Sequence, residues 1–170
     1  MRRVAIIASA SGNGKTTIGR RLAARLGVPY VELDALVHGP GWVETPDDEL
    51  RRIVEPIVRA DGWVIDGTYP RKLGSLVLDS ADTVVWLDQP VRVWLPRLLR
   101  RTARRITGRE ALWNGNRETL WTAIGGPNSL IFYALRSHVR RRRTWPAQLA
   151  RYPVTRLPTA TEVERWIANV

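Results

Sequence analysis

Cysteine is absent from this 170-residue chain, which excludes disulfide bonds and thiolate metal sites. The absence suits a reducing compartment, and we expect a cytoplasmic protein. No apolar run approaches the roughly 20 residues of a membrane-spanning helix, so we expect no membrane partner. The apolar stretch behind Met1 is about five residues long, too short for an export signal. Repeats and low-complexity linkers are also missing, and the length predicts one domain over residues 1–170.

Lysine is almost absent as well, because arginine supplies 25 of the 27 basic side chains. One of the two lysines, Lys15, lies in a glycine-containing stretch at residues 9–16. In such a stretch, backbone N–H groups and a lysine ammonium contact phosphate oxygens, and the planar fork of arginine replaces that compact charge poorly. We therefore predict a phosphate-binding loop, with a nucleotide held by Ser11, Gly12, Asn13, Gly14, Lys15, Thr16 and Thr17.

The segments on either side of the loop agree with this prediction. Residues 4–8 form a short apolar run that suits a buried strand, and Ile18, Leu22 and Leu26 follow at helical spacing. Ser9 departs from the motif G-x-x-x-x-G-K-[ST], because it replaces the first glycine. The backbone at Ser9 must then avoid a conformation that only glycine tolerates, and we expect altered nucleotide binding. The alternative is a glycine-rich turn before an ordinary helix.

The rest of the chain alternates strands with helices, which predicts an α/β fold with a parallel sheet. We predict further strands at residues 30–34, 63–67, 83–88 and 153–157, and helices at 46–58 and 91–106. Residues 125–128 should break the helical region that follows, and Thr159 should cap a final helix. The second and third strands each end in an acid, Asp34 and Asp66.

Positive charge dominates, with a formal net charge of +11 and a pI near 11.3. Such a charge favours polyanionic partners. Two arginine clusters stand out, and either can be a binding surface or simply a solvated helix face. They comprise Arg97, Arg100, Arg101, Arg104, Arg105 and Arg109, and then Arg136 with residues 140–143.

The chain resembles the P-loop kinases of the adenylate kinase and shikimate or gluconate kinase clade, especially the bacterial "topology modulation" (adenylate kinase-related) proteins. The resemblance lies in the loop, residues 33–36, 40–43, 65–67 and 112–118, and it covers nearly the whole chain. It implies a three-layer P-loop NTPase fold with a five-stranded parallel sheet in the order 2-3-1-4-5. It also implies an acceptor-binding segment at about residues 35–60 and an arginine-rich helical lid at about residues 100–120.

Roles for individual acids also follow from the resemblance. Glu32-Leu33-Asp34 resembles the D-x-D strand ending of shikimate and gluconate kinases, which implies that Asp34 orients the acceptor hydroxyl; Glu32 departs from the pattern. Residues 66–71 resemble the D-G-x-P-R turn of adenylate kinases with one residue inserted. Asp66 would then hold Mg²⁺ through water with Thr16, and Arg71 would bind the acceptor.

Further candidates flank the implied acceptor pocket and the lid. His38 and Trp42 are candidate acceptor contacts, although a structural role suits either equally well, and Tyr69 lies beside them. Lid arginines in this clade stabilise charge on the transferred phosphoryl group. We predict this role for Arg101, Arg105 and Arg109, with Arg117 as a further candidate. Lys15, which contacts the phosphates, and Asp34, which orients the acceptor, complete the predicted catalytic residues.

Two function classes follow. The first is a Mg²⁺-dependent phosphotransferase that moves the γ-phosphate of ATP to a small hydroxyl- or phosphate-bearing acceptor. The second is a nucleic-acid-associated ATPase or polynucleotide kinase-like protein, in which arginines follow the phosphate backbone and Trp113, Trp121 and Trp145 stack on bases. A nucleotide-binding protein without turnover is a third possibility. For the first class we expect weak electrostatic nucleic-acid binding only.

Overall fold

The computed structural model describes residues 1–108, 110–125 and 129–170, apart from the side chains of Leu120 and Thr122. Within these residues, five strands form one sheet in the order β2-β3-β1-β4-β5, and every neighbouring pair is parallel. This confirms the predicted sheet and its strand order. The strands are β1 (Arg3–Ala8), β2 (Tyr30–Glu32), β3 (Trp63–Asp66), β4 (Thr83–Leu87) and β5 (Val154–Leu157).

Helices connect these strands. In the described part of the chain they are α1 (Lys15–Leu26), α2 (Leu33–Val37), α3 (Asp47–Arg59), α4 (Pro70–Leu73), α5 (Leu76–Asp79), α6 (Val91–Thr107), α7 (Leu120–Ile124), α8 (Leu130–Gln148) and α9 (Ala160–Ala168). Two single 3₁₀ turns, Pro40–Trp42 and Trp113–Gly115, lie in the acceptor-binding segment and the lid. The predicted cap of the last helix is confirmed, since Thr159 Oγ1 accepts from the Glu162 N–H at 3.2 Å. None of the described helices is long and apolar enough to cross a membrane.

Helices cover both faces of the sheet, because alternate residues of a strand point to opposite sides. On β1, Ala5 and Ile7 face a core built with α2, α3, α4 and α5. Val4, Ile6 and Ala8 face the other side, where they pack against α1 and α9. A smaller core joins α6 to α8 beside Ala10. The fold is therefore three-layered, as predicted.

The parallel register brings the carboxyl ends of the strands to one edge of the sheet, where α/β folds bind ligands. Asp66, the last residue of β3, pairs with Ile6 of β1 and with Glu32, the last residue of β2. The loop after β1 emerges at the same edge, as does Asp88 after β4. The fold thus places acids from three strands beside the glycine-containing loop.

The structure corrects one predicted boundary. The second strand ends at Glu32, and Asp34 lies in the first turn of α2 instead of at a strand end. Leu33 and Val37 are four residues apart, and both are buried in the core, so a single helical turn satisfies both. The predicted break at residues 125–128 lies mostly outside the described residues, between the end of α7 and the start of α8.

Candidate active site

The loop after β1 has the backbone shape of a phosphate cradle. Gly12 and Gly14 have φ values of 84° and 88°, which side chains other than glycine rarely adopt. Asn13 is buried and fixes the loop from inside: its Nδ2 donates to the Ala10 carbonyl at 2.9 Å, and its Oδ1 accepts from the Gln89 N–H at 3.0 Å. The side chain of Asn13 is therefore occupied, and only its backbone is available to bind a nucleotide.

Lys15 and Thr16 extend from the end of this loop onto Asp66. The Lys15 ammonium lies 2.7 Å from Asp66 Oδ1, and the Thr16 hydroxyl donates to Asp66 Oδ2 at 3.1 Å. The Asp66 side chain is only 3% exposed, so a cation beside it is needed to offset its burial. The structure therefore brings together the predicted phosphate-binding lysine and both predicted magnesium ligands.

Tyr30 and Glu32 complete the surroundings of Asp66. The Tyr30 hydroxyl donates to Asp66 Oδ2 at 3.1 Å, and Thr16 Oγ1 lies 3.4 Å from Glu32 Oε1. Burial raises the pKa of Glu32 above its usual range, and the charges of Asp66 and Asp34 raise it further. Burial, followed by the charge of Asp66, also raises the pKa of Tyr30, so its hydroxyl remains a donor.

These oxygen atoms fit a hydrated magnesium ion that is held mainly by nucleotide phosphates. Among the described residues, no cluster of three or more His, Cys, Asp or Glu side chains could hold a metal alone. Mg²⁺ in phosphoryl-transfer sites does not need such a cluster, because one or two carboxylates, a hydroxyl and phosphate oxygens suffice. Thr16 and Asp66 supply hard oxygen ligands of this kind.

Ser9, which replaces the first glycine of the motif, is buried and fully engaged. Its hydroxyl donates to Asp88 Oδ1 at 2.5 Å and accepts from Trp86 Nε1 at 2.8 Å. Its φ is not positive, so the backbone avoids a glycine-only conformation as predicted. Asp88 also accepts hydrogen bonds from Arg156 and lies 3.2 Å from Arg142 Nε. Ser9 therefore joins the loop to a buried charged network.

Asp34 lies on the acceptor side of the loop, and one of its oxygens is held by a tyrosine. Tyr69 donates its hydroxyl to Asp34 Oδ1 at 2.5 Å, and this hydroxyl also lies 3.4 Å from His38 Nε2. The His38 ring contacts the Trp42 ring edge-on at 5.6 Å and stacks on Trp113 of the lid at 5.9 Å. The structure thus gathers the predicted acceptor residues Asp34, His38 and Trp42 around Tyr69.

The lid arginines differ in what they contact. Arg105 forms a partly buried salt bridge with Glu118, with Nη1 and Oε1 2.8 Å apart. Arg101 is half-buried, and its buried Nε has no hydrogen-bond partner in the described part of the chain. Burial, followed by repulsion from Arg105, lowers the pKa of Arg101, while Glu118, Asp34 and Glu32 oppose this effect. Arg117 is exposed, and Arg109 lies outside the described residues.

Two asparagine side chains join the predicted lid to the predicted acceptor-binding segment. Asn116 accepts from the Trp42 N–H at 2.9 Å and donates to the Gly39 carbonyl at 2.8 Å. Asn114 donates to the His38 carbonyl at 2.6 Å. Asn114 and Gly115 have φ values of 56° and 79°, so the tight turn predicted in the lid is present. We call these hydrogen bonds of Asn114 and Asn116 the asparagine latch.

Other predicted residues are placed less centrally. Arg71 is exposed at the start of α4. Trp113 stacks on His38 and Trp145 packs against Trp86, so both rings already have an aromatic partner, whereas Trp121 is exposed. Sequence reasoning assigned no role in the site to Tyr30, Asp88 or Glu118. Their contacts join distant parts of the chain, so local sequence did not reveal these roles.

Together, the loop, the sheet order and the lid define the fold of the P-loop kinases. A sequence model of the family "Shikimate kinase" matches residues 11–39. The shikimate kinase of Mycobacterium ulcerans is 38% identical over 63 residues, and this match spans 33% of the chain and 34% of the relative. The matched region of that curated relative is thus about one third of its length.

Solved structures extend the similarity of fold to the whole chain. The shikimate kinase of Bacteroides thetaiotaomicron superposes with a TM-score of 0.59 at 14% identity, covering 99% of this chain and 95% of the other. A gluconokinase from Sinorhizobium meliloti superposes with a TM-score of 0.54 at 18% identity, covering 99% and 94%. The chain thus has the fold of kinases that include shikimate and gluconate kinases.

Proposed function

We propose that this chain is an ATP-dependent phosphotransferase that moves the γ-phosphoryl group to a hydroxyl or phosphate group of a small acceptor. The observation that carries the proposal is the convergence of Lys15, Thr16 and Asp66 at the end of the phosphate cradle. Asp34 lies nearby on the acceptor side, close enough for its charge to raise the pKa of Glu32. The fold shared with small-molecule kinases supports the same conclusion.

On this proposal, loop N–H groups and Lys15 hold the nucleotide phosphates, while Thr16 and Asp66 hold Mg²⁺, partly through water. The bound ion would offset the charge that develops on the transferred group. Lys15 would exchange its contact with Asp66 for a phosphate oxygen when the nucleotide binds. Because the donor is ATP, we also propose a cytoplasmic location.

Asp34 would orient the acceptor hydroxyl and take its proton late in the transfer. The transition state of phosphoryl transfer is loose, so positioning of the hydroxyl matters more than its early deprotonation. The segment at residues 35–60, including His38 and Trp42, would bind the acceptor. We propose that residues 1–170 form a single kinase-like domain that includes this acceptor-binding segment and the lid.

Arg101 is the lid arginine best suited to contact the transferred phosphoryl group. Glu118 neutralises Arg105, whereas the buried Nε of Arg101 has no partner among the described residues. An anion beside Arg101 would satisfy a buried donor that otherwise costs free energy. Arg71, which is exposed on α4, would contact the acceptor only at the edge of the pocket.

Transfer of label from [γ-³²P]ATP to pooled sugars, hydroxy acids, nucleosides and nucleotides tests the proposal. We expect a labelled product with the wild-type protein. Lys15→Met and Asp66→Asn should abolish both this transfer and the slow hydrolysis of ATP, because they remove the phosphate contact and the metal ligand. Arg165→Met, which removes an exposed cation on α9, should retain both activities. Wild-type turnover in Lys15→Met would overturn the proposal.

Asp34→Asn separates the acceptor role from the metal role. This variant should bind ATP and hydrolyse it slowly, but transfer to the acceptor should fall by roughly two to four orders of magnitude. Asp79→Asn, a change on the exposed helix α5, is the matched control. An equal loss of transfer and hydrolysis in Asp34→Asn would instead make Asp34 a metal-site residue.

A further inference from the structure

The backbone of Tyr69 adopts a conformation that aromatic residues rarely take. Its φ and ψ are 43° and 59°, in the left-handed region, and Pro70 follows directly. A residue before proline normally prefers extended backbone, and a bulky side chain in the left-handed region is an outlier. Glycine or asparagine would make this turn at lower cost. Backbone outliers of this kind concentrate at functional sites, which indicates a functional role for the Tyr69 side chain.

The turn itself uses only the main chain of Tyr69. Its carbonyl oxygen accepts from the N–H groups of Lys72 and Leu73, both at 2.9 Å, and so starts α4. None of these hydrogen bonds needs an aromatic ring or a hydroxyl. The turn alone therefore does not explain why a tyrosine stands at this position.

The hydroxyl of Tyr69 contacts the proposed base directly. It lies 2.5 Å from Asp34 Oδ1, and no other hydrogen-bond donor reaches the Asp34 carboxylate within the described ranges. Burial raises the pKa of Tyr69 well above its usual range, and the charge of Asp34 raises it further. The phenol therefore stays protonated and donates to Asp34, and Asp34 Oδ2 has no donor among the described residues.

We propose that Tyr69 is a positioning residue for phosphoryl transfer: it holds Asp34 Oδ1 so that Oδ2 faces the hydroxyl of the acceptor. This inference rests on the proposed function. The Tyr69 hydroxyl also faces His38, which stacks on Trp113, so contacts link Asp34 to the predicted lid. The strained turn places the Tyr69 hydroxyl against Asp34.

Tyr69→Phe tests the proposal, because it removes the hydroxyl and keeps the ring. With an acceptor found in the labelling screen, we expect the kcat of transfer to fall about 10- to 100-fold, which is the cost of misplacing a reacting group by about 1 Å. The slow hydrolysis of ATP and the KM for ATP should stay within about twofold, since the metal site is unchanged. Parallel loss of transfer and hydrolysis, or no loss of transfer, would overturn the proposal.

A double variant separates positioning from a general structural role. Groups that act as one unit are not additive, so Tyr69→Phe should lower transfer little further in an Asp34→Asn background. Tyr152→Phe is the matched control, because it breaks a tyrosine–aspartate hydrogen bond of 2.8 Å to Asp79 on the surface, and it should leave transfer unchanged. Additive losses would contradict the proposal. They would leave the kinase proposal standing, which fails only if the screen yields no product or if Lys15→Met retains turnover.

Discussion

At the scale of single residues, Ser9 shows how a departure from a motif is compensated. The hydroxyl that replaces a glycine hydrogen satisfies Trp86 Nε1 and one oxygen of the buried Asp88. The guanidinium of Arg156 lies 4.5 Å from the Trp86 ring and also binds Asp88. Ser9 is therefore part of the packing behind the loop, and its side chain points away from the cradle that a nucleotide would enter.

Ser9→Gly, which restores the glycine of the motif, should therefore destabilise the protein. Ser9→Gly leaves Trp86 Nε1 and Asp88 Oδ1 without their partner, and we expect the free energy of unfolding to fall by about 1–3 kcal/mol. We expect no gain in affinity for a nonhydrolysable ATP analogue. Urea unfolding and calorimetric titration measure the two quantities. The control is Ser80→Ala, which removes a hydroxyl that only contacts the Leu76 carbonyl in the described structure. Tighter binding by Ser9→Gly would show that the serine does restrict the cradle.

At the scale of elements, the asparagine latch couples the lid to the acceptor-binding segment. The two loops it joins are each closed by an isolated bridge, His38 to Glu44 and Ala111 to Arg117. Each loop also contains a residue other than glycine with positive φ, Trp42 at 61° and Asn114 at 56°. These loop shapes place backbone groups where Asn114 and Asn116 bind them, so we expect that opening of the predicted lid also releases the predicted acceptor-binding segment.

Asn116→Ala should loosen this coupling. The variant removes the acceptor of the Trp42 N–H and the donor to the Gly39 carbonyl, so the lid should open more often. Loss of about 1.4 kcal/mol of local stability corresponds to about tenfold faster hydrogen exchange at the Trp42 amide. Exchange measured by NMR checks this, with Asn169→Ala at the end of α9 as the control. Unchanged exchange at Trp42 would show that other contacts hold the lid closed.

For the molecule as a whole, regular features were predictable and irregular ones were not. The loop at residues 9–16 and the parallel sheet depend on a local motif and on the alternation of strands with helices, which the sequence displays directly, whereas the strand order was implied by the family resemblance. A helix as short as α2 lacks a detectable period, so the sequence did not show that Asp34 lies on a helix. The contacts of Asn116 with Gly39 and of Tyr69 with Asp34 span 77 and 35 positions, and no local pattern encodes them.

The arginine tract of α8 also shows that the sequence does not reveal which charged side chains have partners. Residues 140–143 look uniform in sequence, but the structure gives them different roles. Arg141 donates to the Ala8 carbonyl at 2.9 Å and lies over Trp145, while Arg142 pairs with Asp88. Arg140 and Arg143 are exposed together with Arg136, and none of these three has a carboxylate partner within the described residues. Within α8, these three are the exposed arginines of the described residues that lack a carboxylate partner.

We therefore expect weak, salt-dependent binding of nucleic acid that has no effect on turnover. Exposed arginines neutralise phosphates without reading bases, and each neutralised phosphate adds about 0.9 to the slope of log K against log salt. Changing Arg136, Arg140 and Arg143 to glutamine should lower that slope by about 2–3 for a random 20-base-pair duplex, as measured by fluorescence anisotropy. Arg52, Arg92 and Arg165 changed to glutamine remove the same charge from scattered exposed positions and should lower it less. ATP turnover should be the same with and without DNA. Strong stimulation of turnover by DNA or RNA would instead favour the nucleic-acid-associated ATPase. A nucleic acid that binds only the exposed arginines of α8 should not affect turnover, because these arginines have no contact with Lys15, Asp66 or Asp34.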